Sequence, residues 1–344
     1  MFDWTHSDSI QLVCRKKWHE TPDSVSFELE SEDSDVEFNF KPGQFASLGF
    51  EIDGNTEYRA YSINSLPGES TLRFTVKKVE NGLVSNFILD ELNVDQSVML
   101  LKPAGAFNNI DCTHNGKVTM VSAGCGITPV MSMVKYWLEH NSDVDIDFIH
   151  MARDKENTIY FEELESIAQQ HDNFNLRLLL KDNGDTAHPQ GRLDKEWLYK
   201  LSPDLNERTV YLCGPVGFME DIKRYLTEEN FDLERFYQES YTPAEAPVSE
   251  SVNDDGGPVS ISVPAFGKNI EAEEGSVLVD SLESAGLPII AACRSGICGS
   301  CKCKVEKGDV ESTSKETLTE QEISDGYVLA CSTVVKSDVE VSLN

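Results

Sequence analysis

The sequence predicts a multidomain chain: an antiparallel β-barrel, an α/β domain built on a parallel sheet, and a small C-terminal α+β domain. Three observations predict it. Short β-branched and aromatic runs fill the first third of the chain, strands then alternate with helical runs, and an acidic, proline-containing stretch precedes the final segment. We place the domains at residues 1–110, 111–241 and 258–344, with residues 242–257 as a flexible linker.

The composition excludes several classes of partner. With 60 acidic and 29 basic residues, the net charge of −31 repels phosphate backbones and anionic lipid surfaces, so we expect no nucleic-acid and no membrane partner. The start, MFDWTHSDSI, lacks the basic and apolar regions of a signal peptide. Outside one cluster the cysteines are scattered singly, which is not a disulfide framework. We therefore expect a cytoplasmic protein.

The barrel prediction rests on a series of short strands broken by turn residues. One short helical stretch, LVSNFILDELN, interrupts them, as is compatible with an antiparallel barrel. The predicted strands are SVSFELE, QFASLGF, YRAYSI, LRFTVKKV and SVMLLK.

The motif RAYS lies on one of these strands and comprises Arg59, Ala60, Tyr61 and Ser62. Strand alternation places Arg59 and Tyr61 on one face. An arginine can hold a phosphate through two hydrogen bonds, an aromatic ring can stack on a flat ring, and a hydroxyl can bond a ring nitrogen. Taken alone, Arg and Tyr two residues apart more often form a cross-strand pair.

A second signal in the barrel is GLVS, at Gly82, Leu83, Val84 and Ser85, where the short helix should begin. Backbone amides at a helix start suit a pyrophosphate. An ordinary helix N-cap is the simpler alternative.

The second domain carries two turns of interest. SAGCGITPV follows a continuous apolar strand and opens a helix; Gly124 and Gly126 permit close backbone approach, and Thr128 stands at the helix start. The motif departs from G-x-G-x-x-G, which weakens it as a nucleotide signal. Another buried strand ends in Cys213, Gly214 and Pro215, at the sheet edge where ligands of open α/β sheets bind, although a bare tripeptide could be only a turn.

The stretch CRSGICGSCKC carries the most specific signal. Cys293, Cys298 and Cys301 follow C-x4-C-x2-C, and Cys331 lies further along, in a predicted strand. This is the ligand pattern of a plant-type 2Fe-2S cluster. Structural zinc, the main competitor, favours two C-x2-C pairs, whereas the cluster contains one such pair, Cys298 and Cys301. Cys303 should face away from Cys301 along a strand, and we interpret it as a small buried hydrophobe.

In this order, RAYS, GLVS, AGCGITPVMSM, LCGPVGFM and the cysteine loop resemble the ferredoxin reductase superfamily, specifically members with a C-terminal plant-type 2Fe-2S domain. The resemblance covers nearly the whole chain. It implies a flavin-binding barrel, a nucleotide-binding α/β domain and a ferredoxin domain of β-grasp fold. The implied enzyme is an NADH oxidoreductase in which FAD and the cluster carry electrons outward.

The resemblance also implies residue roles. Tyr61, Ser62 and Cys213 would be the catalytic residues, and Glu239 is a weaker candidate beside them. Related chains often carry Phe where this chain has Tyr241, in QESYTP, so the residue covering the flavin is open. The implied ligands are Arg59, Ala60, Tyr61, Ser62, Gly82, Leu83, Val84 and Ser85 for the flavin; Gly124, Gly126, Thr128, Cys213, Gly214 and Pro215 for the nucleotide; and Cys293, Cys298, Cys301 and Cys331 for the cluster.

The sequence leaves alternatives open for the flavin, the electron donor and the electron acceptor. The resemblance favours FAD over FMN and NADH over NADPH; Arg153 could meet a 2′-phosphate, but Asp154 and Glu156 would oppose one. AACRSGICGSCK and TLTEQEISDGYVLACS are most similar to the NADH oxidoreductases of hybrid-cluster protein, which would make that protein the electron acceptor. The main alternative is a component of a multicomponent oxygenase. A redox sensor that signals by losing its cluster is a third possibility.

Overall fold

The computed structural model describes residues 9–33, 36–140, 143–241, 257–294, 296–315 and 317–343. Its contacts divide the chain into two compact units, the first of Met1–Asn55 and Tyr61–Tyr241 and the second of Thr56–Ala60 and Thr242–Asn344. The predicted linker, residues 242–257, lies outside the described residues except for its last glycine. No helix in the described ranges is long and apolar enough to cross a membrane.

The first sheet is six-stranded, in the order β4-β3-β6-β1-β2-β5, and its resolved pairings are antiparallel. An isolated antiparallel bridge between Ile63 and Phe74 joins the end of β4 to β5, so the two edge strands approach each other as a barrel requires. The strands are β1 (Ser9–Thr21), β2 (Ser24–Glu30), β3 (Phe45–Ile52), β4 (Asn55–Ser62), β5 (Thr71–Lys77) and β6 (Ser97–Leu101), and helix α1 (Leu83–Asp90) follows β5.

The core of this sheet is aromatic and aliphatic, with Phe27 and Phe74 stacked at 5.7 Å between ring centroids. Strand β1 is absent from the strands that the sequence predicts. Its register shifts twice, between Cys14 and Lys16 and between His19 and Thr21. Such bulges interrupt the two-residue alternation by which a strand is identified from sequence.

The second sheet is parallel, with five strands in the order β11-β10-β7-β8-β9. Helices cover both faces, because one buried cluster includes residues of α2 and α3 and another includes residues of α4 and α5. The strands are β7 (Lys117–Ala123), β8 (Asp145–Ala152), β9 (Phe174–Leu180), β10 (Thr209–Cys213) and β11 (Phe236–Glu239); the helices are α2 (Ile127–His140), α3 (Phe161–Gln170), α4 (Lys195–Leu201) and α5 (Val216–Glu228).

The chain order reverses between β7 and β10, which are neighbours in the sheet. From β7 the chain proceeds through β8 to β9 on one side, and it returns through β10 to β11 on the other. Doubly wound sheets bind ligands at the carboxyl ends of the two strands that flank such a reversal. The turns after β7 and β10 are the two turns that the sequence singled out.

The C-terminal unit has a five-stranded mixed sheet, ordered β13-β12-β18-β14-β16, and a two-stranded sheet, β15-β17. Strands β12 and β18 are parallel, and helix α6 packs on a core shared by both sheets. The strands are β12 (Pro258–Val263), β13 (Lys268–Glu273), β14 (Lys302–Lys307), β15 (Val310–Ser312), β16 (Tyr327–Leu329), β17 (Thr333–Val335) and β18 (Val339–Leu343); the helices are α6 (Leu278–Ser284) and α7 (Glu320–Ser324).

The chain around Cys331 differs from the sequence prediction. The sequence predicts a single strand through Cys331, but the chain forms β16, a 3-10 turn at Ala330–Ser332 and then β17. The turn brings the Cys331 amide to the Cys301 sulfur, at 3.4 Å. A straight strand would have continued the alternation of side chains instead of turning the backbone toward the cysteine loop.

Candidate flavin, nucleotide and iron-sulfur sites

The RAYS motif occupies the last residues of β4, an edge strand of the first sheet. The guanidinium of Arg59 donates a hydrogen bond to the carbonyl of Tyr58 at 2.6 Å and lies 3.7 Å from Glu57 Oε2, with 40% of its side chain exposed. Ala60 and Tyr61 are half-buried, and Tyr61 packs against the core of the sheet. Ser62 is buried. The motif thus presents an accessible cation, a partly exposed ring and a hydroxyl in succession.

The GLVS motif starts helix α1, with Gly82 as the N-cap residue. No side chain caps this end and no acidic residue lies in the first turn, so its amides suit an anionic group. Ser85 is buried, and its hydroxyl accepts a hydrogen bond from the amide of Val79 at 3.2 Å. Val84 is buried under the helix, whereas Leu83 is exposed.

The two turns of the parallel sheet meet backbone to backbone. Gly124 and Gly126 form a short 3-10 turn between β7 and α2, while Gly214 and Pro215 connect β10 to α5. A side chain at Gly126 would overlap the backbone of Cys213 and Gly214, so glycine is required for this contact. The structure therefore brings both predicted nucleotide motifs to one place, at the switch point of the sheet.

Tyr241 connects the end of β4 in the first sheet to the start of α2 beside the parallel sheet. Its hydroxyl is 3.0 Å from the hydroxyl of Ser62 and 2.9 Å from that of Thr128. The buried thiol of Cys213 is hydrogen-bonded to the same tyrosine. Although 46% of Tyr241 is exposed, burial of its hydroxyl end raises the pKa of the phenol. A residue that the sequence marked only as a departure thus connects the serine predicted to bind flavin to the threonine and cysteine predicted to bind nucleotide.

A row of polar side chains crosses the parallel sheet beside this junction. Glu239, Cys213, Ser122 and His150 are register partners on four adjacent strands, so their side chains share one face. The Ser122 hydroxyl is 2.8 Å from His150 Nδ1, and burial lowers the pKa of His150 to about 3, which keeps the ring neutral. Neither residue is predicted from the sequence to take part in chemistry, because a lone buried serine or histidine carries no spacing signal.

Glu239 is the group in this row whose charge matters most. It is 8% exposed, and burial raises its pKa to about 8. Its Oε2 atom has no hydrogen-bond partner within the described part of the chain. A buried polar atom without a protein partner, next to Cys213, fits a site that receives a polar ligand group such as a carboxamide.

The four predicted ligand cysteines lie close together in the C-terminal unit. Hydrogen-bond contacts join the thiol of Cys293 to those of Cys298 and Cys331, and join Cys331 to Cys301. No group of three or more His, Cys, Asp or Glu side chains in the described ranges is arranged around a single metal-ion position. The ligand assignment therefore rests on these pairwise contacts.

Backbone amides point at the sulfurs, as an anionic cluster requires. The amide of Gly296 donates to Cys331 Sγ at 3.2 Å. Gly296 has a φ of +73°, and a side chain there would collide with Ser314 and Ser332, so the loop needs glycine. Cys303 is buried in the core of the unit, as predicted, and burial raises its pKa to about 12. The residues present fit a 2Fe-2S cluster.

Comparison with known proteins agrees with this arrangement. Three family models match in chain order: an oxidoreductase FAD-binding domain at residues 11–109, an oxidoreductase NAD-binding domain at 120–224 and a 2Fe-2S iron-sulfur cluster binding domain at 264–336. The fold and these domains define an oxidoreductase that binds FAD, a pyridine nucleotide and a 2Fe-2S cluster. The predicted cofactors and enzyme class are confirmed at this level.

Two relatives match over almost their whole length. The glycine betaine monooxygenase reductase subunit of Pseudomonas aeruginosa is 35% identical, covering 98% of this chain and 96% of that protein. The NADH oxidoreductase HCR of Escherichia coli is 32% identical, covering 93% of each. The chain belongs to the ferredoxin-reductase family of flavoproteins with a C-terminal 2Fe-2S domain. Phthalate dioxygenase reductase shares the fold, with a TM-score of 0.64 at 21% identity over 98% of this chain and 99% of that one.

Replacing Cys331 by serine should remove the cluster. The expected result is loss of the visible cluster absorption and of bound iron and sulfide, because one thiolate ligand is missing. Cys303→Ala is the matched control, since Cys303 is buried in the same core but lies outside the predicted ligand set. Iron analysis and visible spectra of both proteins measure this, and retention of two irons in Cys331→Ser would contradict the ligand set.

Replacing Glu239 by glutamine should change the pH dependence of stability. The pKa of Glu239 is about 8 in the folded chain against 4.5 for the free side chain. The folded state therefore binds more protons between these values, and stability falls as the pH rises through this window. The wild-type protein should lose up to about 4 kcal/mol relative to Glu239→Gln across it. Urea unfolding of both proteins at pH values from about 5 to about 9 measures the difference, and a constant difference would contradict the pKa.

Proposed function

We propose that this protein is an NADH-dependent reductase that passes electrons through FAD and a 2Fe-2S cluster to a protein acceptor, an oxygenase component. The junction at Tyr241 carries the proposal. It connects Ser62 on the flavin-binding strand to Thr128 and Cys213 at the switch point, so the two sides of a hydride-transfer site lie within hydrogen-bonding distance of one hydroxyl.

Bound FAD supplies the conversion between two-electron transfer from a nicotinamide and one-electron transfer to an iron-sulfur cluster. The protein contributes binding and orientation. Arg59 holds a flavin phosphate, Tyr61 stacks on the ring, and Ser62 donates a hydrogen bond to a ring nitrogen. The amides of Gly82, Leu83, Val84 and Ser85 bind the diphosphate, and Ala60 leaves room beside the strand.

The nucleotide side has its own residues. The turn of Gly124 and Gly126 and the start of α2 at Thr128 bind the nucleotide phosphates, while Cys213, Gly214 and Pro215 line the nicotinamide pocket. Glu239 is protonated over much of the physiological range, because its pKa is about 8, and so can donate a hydrogen bond to the carboxamide. Cys293, Cys298, Cys301 and Cys331 hold the cluster.

Preference for NADH is supported by the loop after β8. One carboxylate oxygen of Asp154 accepts hydrogen bonds from the amide and the side chain of Asn157, at 2.9 and 2.7 Å. These bonds lower the pKa of Asp154 and hold a negative charge beside Arg153. An anchored carboxylate at this edge disfavours a 2′-phosphate and suits a ribose hydroxyl.

The choice of acceptor rests on relatives. The glycine betaine monooxygenase reductase subunit aligns with more of this chain, and at higher identity, than the NADH oxidoreductase HCR does. An oxygenase component of that kind is therefore our first candidate. Hybrid-cluster protein, which the sequence resemblance favoured, is the second candidate, because HCR also matches over most of its length.

The function is tested by adding NADH to the purified protein without oxygen. We expect the flavin absorption and then the cluster absorption to bleach, and a purified acceptor to restore them. Glycine betaine monooxygenase and hybrid-cluster protein should be tried in parallel, and the faster reoxidation identifies the class of acceptor. Absence of bleaching, or of any turnover with ferricyanide, would contradict a reductase and favour a redox sensor.

Replacing Arg59 by alanine should yield protein with less than one flavin per chain, because a phosphate contact is lost. Arg15→Ala is the control: Arg15 lies on β1 of the same sheet, is similarly exposed, and pairs with Asp95 in the turn before β6. Flavin released by denaturation is measured against protein concentration. Full flavin content in Arg59→Ala would place the phosphate contact elsewhere.

A further inference from the structure

A partly buried polar seam joins the sheet of β1–β6 to the helices of the α/β part of the first unit. We define the seam by six side chains: Asn64, Arg73 and Thr75 from the first sheet and its loop, and Lys135, Tyr160 and Glu163 from the region of α2 and α3. None of these residues belongs to the predicted flavin or nucleotide motifs. The seam is therefore a structural feature whose purpose the proposed function leaves open.

Tyr160 is at the centre of the seam. Its buried hydroxyl accepts a hydrogen bond from the side-chain amide of Asn64 at 2.5 Å and donates a short one to Thr75. The cations of Arg73 and Lys135 lie 5.2 and 5.8 Å from the centroid of its ring, within cation–π range. Of these four partners, Lys135 belongs to α2 and the other three belong to the first sheet or its loop. Tyr160 therefore connects the first sheet to the α/β part of the unit.

The backbone at Tyr160 is also unusual. Its φ of +62° and ψ of +28° place it in the left-handed region at the N-cap of α3. Bulky residues rarely adopt this conformation, and such strain persists only where surrounding contacts determine it. The hydroxyl and ring contacts therefore hold the tyrosine in a position that local backbone preference disfavours.

Ion pairs complete the seam. Lys135 Nζ is 2.6 Å from Glu163 Oε1 and donates to Asn64 Oδ1 at 3.3 Å. Arg73 lies 3.0 Å from Glu20 and 3.4 Å from Glu163. These charged side chains are partly buried, so displacing one partner would leave a charge less compensated.

The seam and the Tyr241 junction act on the same two elements. Asn64 lies two residues after Ser62 at the end of β4, and Lys135 lies seven residues after Thr128 on α2. Seven residues are about two helical turns, so Thr128 and Lys135 share one face of α2, roughly 10 Å apart. Helix α2 is thus connected to the end of β4 and the residues after it at two points, through Tyr241 at Thr128 and directly at Lys135, which opposes rotation about either one.

An open crevice lies next to the seam. It has a volume of about 870 Å³, and Asn64, Arg73, Lys135 and Glu163 are among its lining residues. Apolar side chains of Leu66, Leu138 and Ile167 also line the crevice. At its edge the polar contacts of the seam bridge the first sheet and the helices.

We propose that Tyr160, Asn64 and Lys135 are positioning residues for hydride transfer: they fix α2 relative to the strand that carries Ser62 and so set the distance between the nucleotide turn and the flavin site. This inference rests on the proposed function. Hydride transfer requires the reacting atoms at a narrowly defined separation, and a shift of about 1 Å can cost up to about 100-fold in rate.

The first test is Tyr160→Phe, which keeps the ring and removes both hydroxyl bonds. In anaerobic stopped-flow experiments over a range of NADH concentrations, the limiting rate of flavin reduction should fall about tenfold, with little change in the dissociation constant for NADH. Tyr211→Phe is the matched control, because the buried hydroxyl of Tyr211 donates to the carbonyl of Cys112 outside the seam. An unchanged limiting rate in Tyr160→Phe, or an equal loss in both variants, would overturn the proposal.

A double-mutant cycle with Asn64→Ala makes the test specific. Both substitutions remove the same hydrogen bond, so their effects on the logarithm of the reduction rate should be clearly less than additive.

Lys135→Met and Lys135→Arg provide an independent pair if Tyr160→Phe does not fold. Methionine should slow flavin reduction, and arginine, which restores the charge and the hydrogen-bond donors, should recover most of the rate. Additive effects, or equal rates in the Lys135 variants, would count against a positioning role.

A readout separate from activity is hydrogen–deuterium exchange of the full-length protein as purified. In Tyr160→Phe, amides at the start of α3 and on β5 should exchange faster, while those of β12–β18 should not change. If NADH fails to reduce the flavin of the wild-type protein, the proposed function is wrong. If the wild type is reduced and the seam variants match it in rate and exchange, only this inference fails.

Discussion

The direct packing of two backbone turns is the constraint on which the nucleotide site depends. Gly126 at the start of α2 lies against the backbone of Cys213 and Gly214, at the point where the order of the parallel sheet reverses. Because no side chain separates the turns, the start of α2 and the end of β10 face the same space. Thr128 and Cys213 can then both reach the hydroxyl of Tyr241. Any bulk at Gly126 would move α2 and separate these groups.

Several polar groups are buried in this unit, and the protein offsets the cost of burying each of them in a different way. His150 stays neutral because burial lowers its pKa. Burial also lowers the pKa of Lys135, and the adjacent Glu163 opposes the shift by favouring the charged amine. Glu239 has no such partner, and its raised pKa makes the neutral acid the prevailing form below about 8. Glu239 lies beside the switch point of the parallel sheet. A ligand bound there can supply the hydrogen-bond partner that its carboxyl group lacks.

Much of this architecture was predictable because it depends on short-range sequence features. The four cysteines predicted to hold the cluster are marked by residue type and spacing, and the turns at Gly124–Gly126 and Cys213–Pro215 by their position after apolar strands. Tyr241, Tyr160 and Asn64 were not predictable in the same way, because each has at least one hydrogen-bond partner more than 90 positions away in the chain. Strand β1 was missed because bulges break its alternation, and the turn at Cys331 was missed because the surrounding residues favour a strand.

The acceptor is the least predictable property for a related reason. The features that identify the family serve the transfer of electrons within the chain: flavin contacts, the switch point and the cysteine loop. Two relatives, at 35% and 32% identity, align with this chain over almost their whole length. One is a monooxygenase reductase subunit and the other is the oxidoreductase HCR. Motifs that are shared by proteins with different partners cannot encode the choice of partner. That choice depends on the surface that meets the acceptor, because charge and shape there can vary without disturbing the cysteine loop.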